Sequence, residues 1–384
     1  MIRKRILLVS LLKPVSDTRL YEKIGQSLAK LPDTEVHVAG YIAPIPPAAE
    51  NTGITFHPVF HFKRLSLGRI LAQGRFWKLL NQVRPHLLII GTHELLPLSA
   101  LYCRLHACKL VYDVQENYYL NLTTQQVYPG LIAKIAGNLV RFMEKMLAPA
   151  IAHFFLAEQA YARELPFLGQ RYTVLQNKYL PAVTNPAAKR SLPVALTQHR
   201  PLRLLYSGTI SRLYGVWEAI EFTSRLRNWV PDVQLTIIGY CAEAAYLTEL
   251  RAQIKDLSFV TLLGGDALVP HHEILAQEQR HHLGLLPYRP HPSTFTCLPT
   301  KLFEYLANGL VVVTEENPLW EEILRQTNGG LTHAFAQELT AEKVEQLLRR
   351  TYYQKGIPAD VFWKEEAQHA QQVVRQLLDQ SFTC

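Results

Sequence analysis

The chain has 384 residues, more than one hydrophobic core comfortably organises, so two domains are expected; its apolar share of 48% excludes long disorder. No apolar run reaches the roughly 20 residues that a membrane-spanning helix needs. Net charge is +8 but unevenly spread, with 23 Lys and Arg against 11 Asp and Glu in residues 1–190 and 17 against 21 thereafter. The basic front half suits an anionic partner (nucleic acid, an acidic lipid surface or a phosphorylated acceptor) or is a solubility bias alone. The five cysteines, Cys103, Cys108, Cys241, Cys297 and Cys384, are scattered, odd in number and never spaced C-x-x-C. That argues against a disulfide framework or a zinc site and favours a reducing compartment.

The start is basic and then apolar, but Lys13, Pro14 and Asp17 follow at once with no small-residue cleavage site. Residues 5–11 therefore read as a buried strand rather than a signal peptide. A helix is predicted over 18–31, with Leu20, Ile24 and Leu28 at helical spacing, and a strand over 36–41. After an irregular stretch around Pro44, Pro46 and Pro47, a helix is expected over 67–83. A strand over 87–91, a helix over 96–106, a strand over 109–113, a helix over 131–147 and strands over 153–157 and 173–176 follow. Such βα repetition implies a parallel sheet with helices on both faces.

Pro181, Pro186, Pro193 and Pro201 break the rhythm, and the linker is placed at 181–201. The pattern then restarts. Strands are predicted over 203–206, 234–238, 260–263, 282–286 and 310–314, alternating with helices over 215–227, 242–255, 269–278 and 299–308. Helices over 340–352 and 359–378 finish the chain. The expected architecture is α/β: two Rossmann-like, doubly wound parallel-sheet domains, 1–180 and 202–358, facing a cleft, with a final helical segment, 359–384. In open parallel sheets ligands bind beyond the carboxyl ends of the strands, so the residues after each strand are where chemistry is sought.

The most informative stretch is Leu298-Pro299-Thr300-Lys301-Leu302-Phe303-Glu304-Tyr305-Leu306-Ala307-Asn308-Gly309, followed by an apolar strand. Pro299 suits the first helical position, where its missing N–H costs nothing. Thr300 and Lys301 then lie beside free N–H groups at the positive end of the helix, a good phosphate site. Glu304, one turn on, could take both hydroxyls of a ribose; a ligand-free charged helix start fits the spacing equally well. Ser207-Gly208-Thr209-Ile210-Ser211-Arg212 is a hydroxyl-rich loop after a strand, able to hold a pyrophosphate or to be an ordinary turn. Gly239-Tyr240 ends another strand, and Tyr240 either lines a base pocket or covers the strand end.

In the front half, Asp17-Thr18-Arg19, His93-Glu94 and Asp113-Val114-Gln115-Glu116 each follow a strand. Asp17, Asp113 and Glu116 are the catalytic candidates; Asp17 also fits a helix cap with Arg19 as surface partner, and Asp113 a tie for its own loop. There is no D-x-D triplet and no cluster at metal-ligand spacing, so no metal site is expected, and His271-His272 and His281-His282 read as non-ligands. The helix at 131–147 is amphipathic, with Ile132, Ile135, Leu139, Phe142, Met143 and Met146 beside Lys134, Arg141 and Lys145. It packs inside the domain or docks shallowly on anionic lipid.

Pro299-Thr300-Lys301-x-x-Glu304-Tyr305-x-Ala307-x-Gly309, with Ser207-Gly208-Thr209 and Ile238-Gly239, resembles the donor half of family 4 glycosyltransferases, which have the GT-B fold. Asp17-Thr18-Arg19, Val111-Tyr112-Asp113-x-x-Glu116 and Leu175-Gln176-Asn177 are similar to the front half of that family, and the helix from about Trp363 to its segment crossing back to the first domain. The chain departs from the family at Thr296, Thr209, Tyr214 and Gln115, where Glu, Arg, Lys and His are common. The resemblance implies transfer of a sugar from a nucleoside diphosphate donor, with retention and without an essential metal or other cofactor. Glu304 would hold the ribose; Thr300, Lys301 and Ser207-Gly208-Thr209, with Arg212, the diphosphate. The expected acceptor is a glycan or lipid-linked saccharide, handled by a cytoplasmic protein at the inner face of a membrane. A catalytically inactive scaffold and a nucleotide-sugar epimerase are the alternatives; no groove-reading motif supports nucleic acid.

Overall fold

The computed structural model describes residues 3–45, 52–62, 66–124, 129–181 and 192–379. Two compact units emerge, Met1–Leu180 with Trp363–Cys384, and Pro181–Phe362. The first is built on β1 (Lys4–Pro14), β2 (Thr34–Tyr41), β3 (Ile54–Phe60), β4 (Leu87–Ile90), β5 (Lys109–Val114), β6 (His153–Leu156) and β7 (Tyr172–Val174). These form one parallel sheet in the order β3-β2-β1-β4-β5-β6-β7. β4 is buried along its whole length and β1 through Ile6–Leu11, as expected of strands covered on both faces.

The second unit opens with a two-residue strand, β8 (Val194–Ala195), inside the predicted linker; residues 182–191 of that linker lie outside the described ones. Its main sheet contains β9 (Arg203–Thr209), β10 (Gln234–Tyr240), β11 (Val260–Gly265), β12 (Leu283–Leu286), β13 (Val311–Thr314) and β14 (Gly330–Thr332). All pairs are parallel, in the order β11-β10-β9-β12-β13-β14. The order reverses between β1 and β4 in one sheet and between β9 and β12 in the other. Those are the switch points at which a doubly wound sheet leaves a crevice.

Several elements depart from expectation. β3 lies in a stretch read as irregular: it is an edge strand with mixed burial and carries Pro58, which an edge tolerates. The helices Tyr118–Thr124 and Pro318–Thr327 and the strand β14 were not predicted. The predicted helix at 340–352 is Ala341–Arg349, and its tail leaves to form β15 (Thr351–Tyr352), antiparallel to β8. The stretch after β1 is π-helical over Thr18–Gly25 before Gln26–Leu28.

The last helix, Lys364–Asp379, belongs to the first unit. Ala370, Val374 and Leu377 enter the same core as Ile6, Leu8 and Leu28, and Trp363 Nε1 donates to Ser27 Oγ at 3.0 Å. The helix Gly130–Leu147 does the reverse of packing its apolar stripe inward. Leu131, Ile132, Ile135, Leu139, Phe142 and Met146 are 54–74% exposed, while Ala133, Gly137 and Glu144 face the domain.

Candidate functional site

In the second unit the loops after β9 and β12 are brought together by glycines. A Cβ on Gly239, which pairs with Gly208 across β10 and β9, would lie 1.6 Å from the Gly208 carbonyl oxygen. Gly215 adopts φ +72°, and a Cβ there would lie 1.8 Å from the oxygen of Pro287, so the two loops close on one another only through glycine. On β12, Gly284 leaves room for the Tyr305 ring. The Tyr305 hydroxyl accepts from Ser207 N–H at 2.8 Å and donates to Ser207 Oγ at 2.9 Å. Ser207 and Gly208 thus form a rigid strand end rather than a floppy turn.

What results at the switch point is a cavity of about 390 Å³ lined by Gly208, Thr209, Tyr214, Tyr288, Thr294 and the 297–301 segment. The helix Thr300–Ala307 starts in its wall, with Pro299 as the capping residue, one place earlier than the sequence spacing implied. The first-turn N–H groups of a helix have no partners inside it and carry its positive end. Lys301 and Glu304 pair with each other, the Glu304 Oε2 lies 3.0 Å from His271 Nε2, and Glu278 Oε1 lies 3.4 Å from Lys301 Nζ. Burial opposes both charges of the pair. The Lys301 ammonium, the His271 imidazole and a hydrogen bond from Glu278 together outweigh it and hold the Glu304 carboxyl well below the usual range. Glu304 and Glu278 in turn raise Lys301 above its ordinary value.

Of the remaining donor candidates, Arg212 pairs with Glu249 at 2.6 Å and lies over the Tyr246 ring, 4.4 Å from its centroid. Tyr240 stands half-exposed at the end of β10. Neither is among the residues lining the cavity. Tyr214 packs on Tyr288 with ring centroids 4.8 Å apart.

In the first unit, Asp17 caps the π-helical turn, accepting from the N–H groups of Arg19 and Leu20. Arg19 is not its surface partner. The Arg19 guanidinium is buried, bonding both Asp113 oxygens at 2.6–3.1 Å, the Leu175 carbonyl at 2.8 Å and Asn177 Oδ1 at 2.9 Å. Asp113 is fully buried and also accepts from Gln115 Nε2 at 2.9 Å. Residues read from sequence as separate loop features are therefore one internal network. Glu116 differs: it lines a cavity of about 840 Å³ with Leu12, Lys13, Tyr41, His61, Phe62, Thr92 and Tyr118, and accepts from Asn121 Nδ2 at 2.8 Å. His93 is largely buried against Tyr118, and burial lowers its pKa.

No protein-family model matches the sequence, and no curated protein matches it significantly. Solved structures do resemble the fold. The sucrose-phosphate synthase of Thermosynechococcus elongatus aligns over 98% of this chain and 99% of its own, with TM-score 0.63 and 14% identity. A glycosyltransferase of Rickettsia africae aligns over 99% and 100%, with TM-score 0.64 and 10% identity. Anabaena HepE, solved with UDP and glucose, aligns over 98% and 96%, with TM-score 0.60 and 16% identity. The chain has the GT-B fold.

Within this GT-B chain, sequence reading missed His271 and Glu278. Both lie on the helix His271–Arg280, one strand before the motif they support. The adjacent His271-His272 pair lacks metal-ligand spacing, and Glu278 carries no motif, so neither has a sequence signal. Among the described residues no group of three His, Cys, Asp or Glu could hold a metal ion.

Proposed function

We propose that this chain is a retaining glycosyltransferase that moves a sugar from a nucleoside diphosphate donor to a glycan or lipid-linked saccharide. The observation that carries this reading is a helix start in the wall of a switch-point cavity, where Lys301 lines the cavity and pairs with the buried Glu304. Diphosphate oxygens would lie on the first-turn N–H groups, Lys301 and the Ser207-Gly208-Thr209 strand end, and the ribose hydroxyls on Glu304. As the bond from sugar to phosphate breaks, charge grows on the departing diphosphate, and preorganised donors stabilise it there without an essential metal. HepE was solved with UDP and with UDP-glucose, and the pneumococcal O-GlcNAc transferase GtfA with UDP and GlcNAc; UDP is therefore the first nucleotide to try. Glu116, facing the first unit's cavity, is the proposed catalytic-side carboxylate.

UDP or another nucleoside diphosphate should raise the melting temperature, and Glu304→Ala should abolish that rise. A donor screen by mass spectrometry then reads turnover. Binding with no hydrolysis or transfer across a broad acceptor panel would instead favour an inactive scaffold.

We also propose that the protein works in the cytoplasm, peripheral to the inner face of a membrane. No helix among the described residues is long and apolar enough to cross one. The exposed apolar stripe of Gly130–Leu147 is flanked by Lys134 and Lys145, its one acidic residue, Glu144, is buried, and the adjoining helix Leu96–Leu105 exposes Leu101, Arg104 and Leu105. Apolar side chains edged by cations suit anionic lipid. Flotation with anionic vesicles should be lost in Ile135→Glu/Phe142→Glu and weakened with zwitterionic vesicles. Equal flotation with both lipids removes the electrostatic part, and stripe-dependent dimerisation in solution would replace the membrane with a second copy.

A further inference from the structure

Beneath the Lys301–Glu304 pair lies a carboxyl that the nucleotide reading does not use. Glu278 is 0% exposed. Its Oε2 accepts from Asn308 Nδ2 at 2.8 Å, and its Oε1 is 3.4 Å from the Lys301 ammonium. Glu304 holds the same ammonium closely and has His271, on Glu278's own helix, against its other oxygen. Tyr305 also feels the Glu278 charge, and its hydroxyl is committed to Ser207. One buried lysine thus faces two carboxyls. Were both ionised, the cluster would present a net negative charge just where a diphosphate has to land, and buried unbalanced charge is costly.

The partners decide which carboxyl keeps a proton. Glu304 has the close ion pair and the imidazole; Glu278 has the deeper burial and the longer approach to Lys301. Burial first, and then the charge of Glu304, push the Glu278 carboxyl well above the usual range.

We propose that Glu278 is a positioning residue of the nucleotide site: an uncharged carboxyl that donates to Glu304 while accepting from Asn308, steadying Glu304 for the ribose when a diphosphate draws Lys301 away. The assignment rests on the nucleotide reading above. Ionising Glu278 adds negative charge beside the phosphates and removes the donor that Glu304 uses.

Two measurements test it. The first is ligand-free thermal unfolding against pH. A group whose folded pKa is raised contributes stability below its unfolded pKa and loses it as pH rises through the folded one. Wild type should therefore lose stability as pH rises from the ordinary carboxyl range through the raised folded value, and Glu278→Gln, which keeps an uncharged donor and an acceptor, should lack that loss. The second is calorimetric titration with UDP over the same range. Where Glu278 holds its proton, Glu278→Gln should stay within about twofold of wild type, and it should lack the decline that wild type shows as that proton leaves, whereas Glu278→Ala should bind roughly tenfold more weakly, the loss of about one hydrogen bond to a charged group. Affinity in Glu278→Gln as poor as in Glu278→Ala, or the same pH-dependent loss in Glu278→Gln as in wild type in either measurement, overturns the proposal. If no nucleoside diphosphate binds wild type, the functional reading fails by itself, and the ligand-free unfolding profile still decides whether Glu278 holds a proton.

Discussion

After β1 the first unit ties its own charges to one another: Asp17 caps the next turn, and Arg19 is buried against Asp113, Leu175 and Asn177. After β9 the second unit does the opposite. Its glycines keep side chains out, its backbone stays at the wall, and a cavity remains beside a helix start. The same strand order therefore carries a closed charge network after the first strand of one sheet and a glycine-lined wall after that of the other. Polar groups that satisfy each other inside the fold stabilise it, whereas those aimed at an empty volume await a ligand. The first unit keeps an opening too, lined by Leu12 and Lys13 at the end of β1, Thr92 after β4, Tyr41 of β2 and the 61–62 segment, with Glu116 among its residues.

The contrast can be broken most forcefully at Asp113. Asp113→Ala leaves Arg19 buried without its counter-charge and should cost about 3–5 kcal/mol, read as a lower denaturant midpoint. The folded fraction should bind UDP as wild type does; a matching loss of affinity would show that the network serves the ligand site after all. Lys301→Ala should differ by acting on both readouts. It removes a charged contact worth about 1.5–3 kcal/mol, so nucleotide affinity of the folded fraction should fall roughly 10- to 100-fold by calorimetry, and because it leaves the buried Glu304 and Glu278 without their cation the denaturant midpoint should fall as well.

Gly239→Ala sharpens the role of the glycines. Its Cβ meets the Gly208 carbonyl oxygen at 1.6 Å, so the strand end has to move, costing about 1–3 kcal/mol and weakening nucleotide binding together. An alanine variant with normal melting and normal affinity would show that this approach is not required. The smallest effect belongs to the first sheet's far side. Burial, with Arg171 nearby, lowers His153 to about 4, below the 6.5 of an unstrained imidazole, while His153 shares a hydrogen bond with Thr173. Its neutral form is favoured by the fold, so its contribution is present above pH 6.5 and lost as pH falls towards about 4. Allowing for solvent screening the effect is on the order of 1 kcal/mol, and His153→Asn should flatten that part of the melting-temperature profile.

Much of the scaffold could be read from local pattern. Apolar runs such as 5–11, 87–91 and 310–314 become central strands because both their faces are covered, and burial on both faces leaves an unbroken apolar signature. The edge strands β3 and β14 carry no such mark, since their neighbours on one side are missing and their composition is mixed. The motif from Pro299 to Gly309 was legible because helix start, cation and carboxylate are close in sequence and obey helical spacing.

The sequence by itself determined the repeated βα order, a helix starting within one residue of Thr300 and the pairing of Lys301 with Glu304 one turn on. Those depend on neighbours a few residues apart. Only the tertiary structure decided that Arg19 belongs to Asp113 across 94 residues, that Glu278 lies under Lys301, and that the stripe of Gly130–Leu147 points outward. Amphipathic spacing says that a helix has two unlike faces; which one meets the core depends on what the rest of the chain places against it.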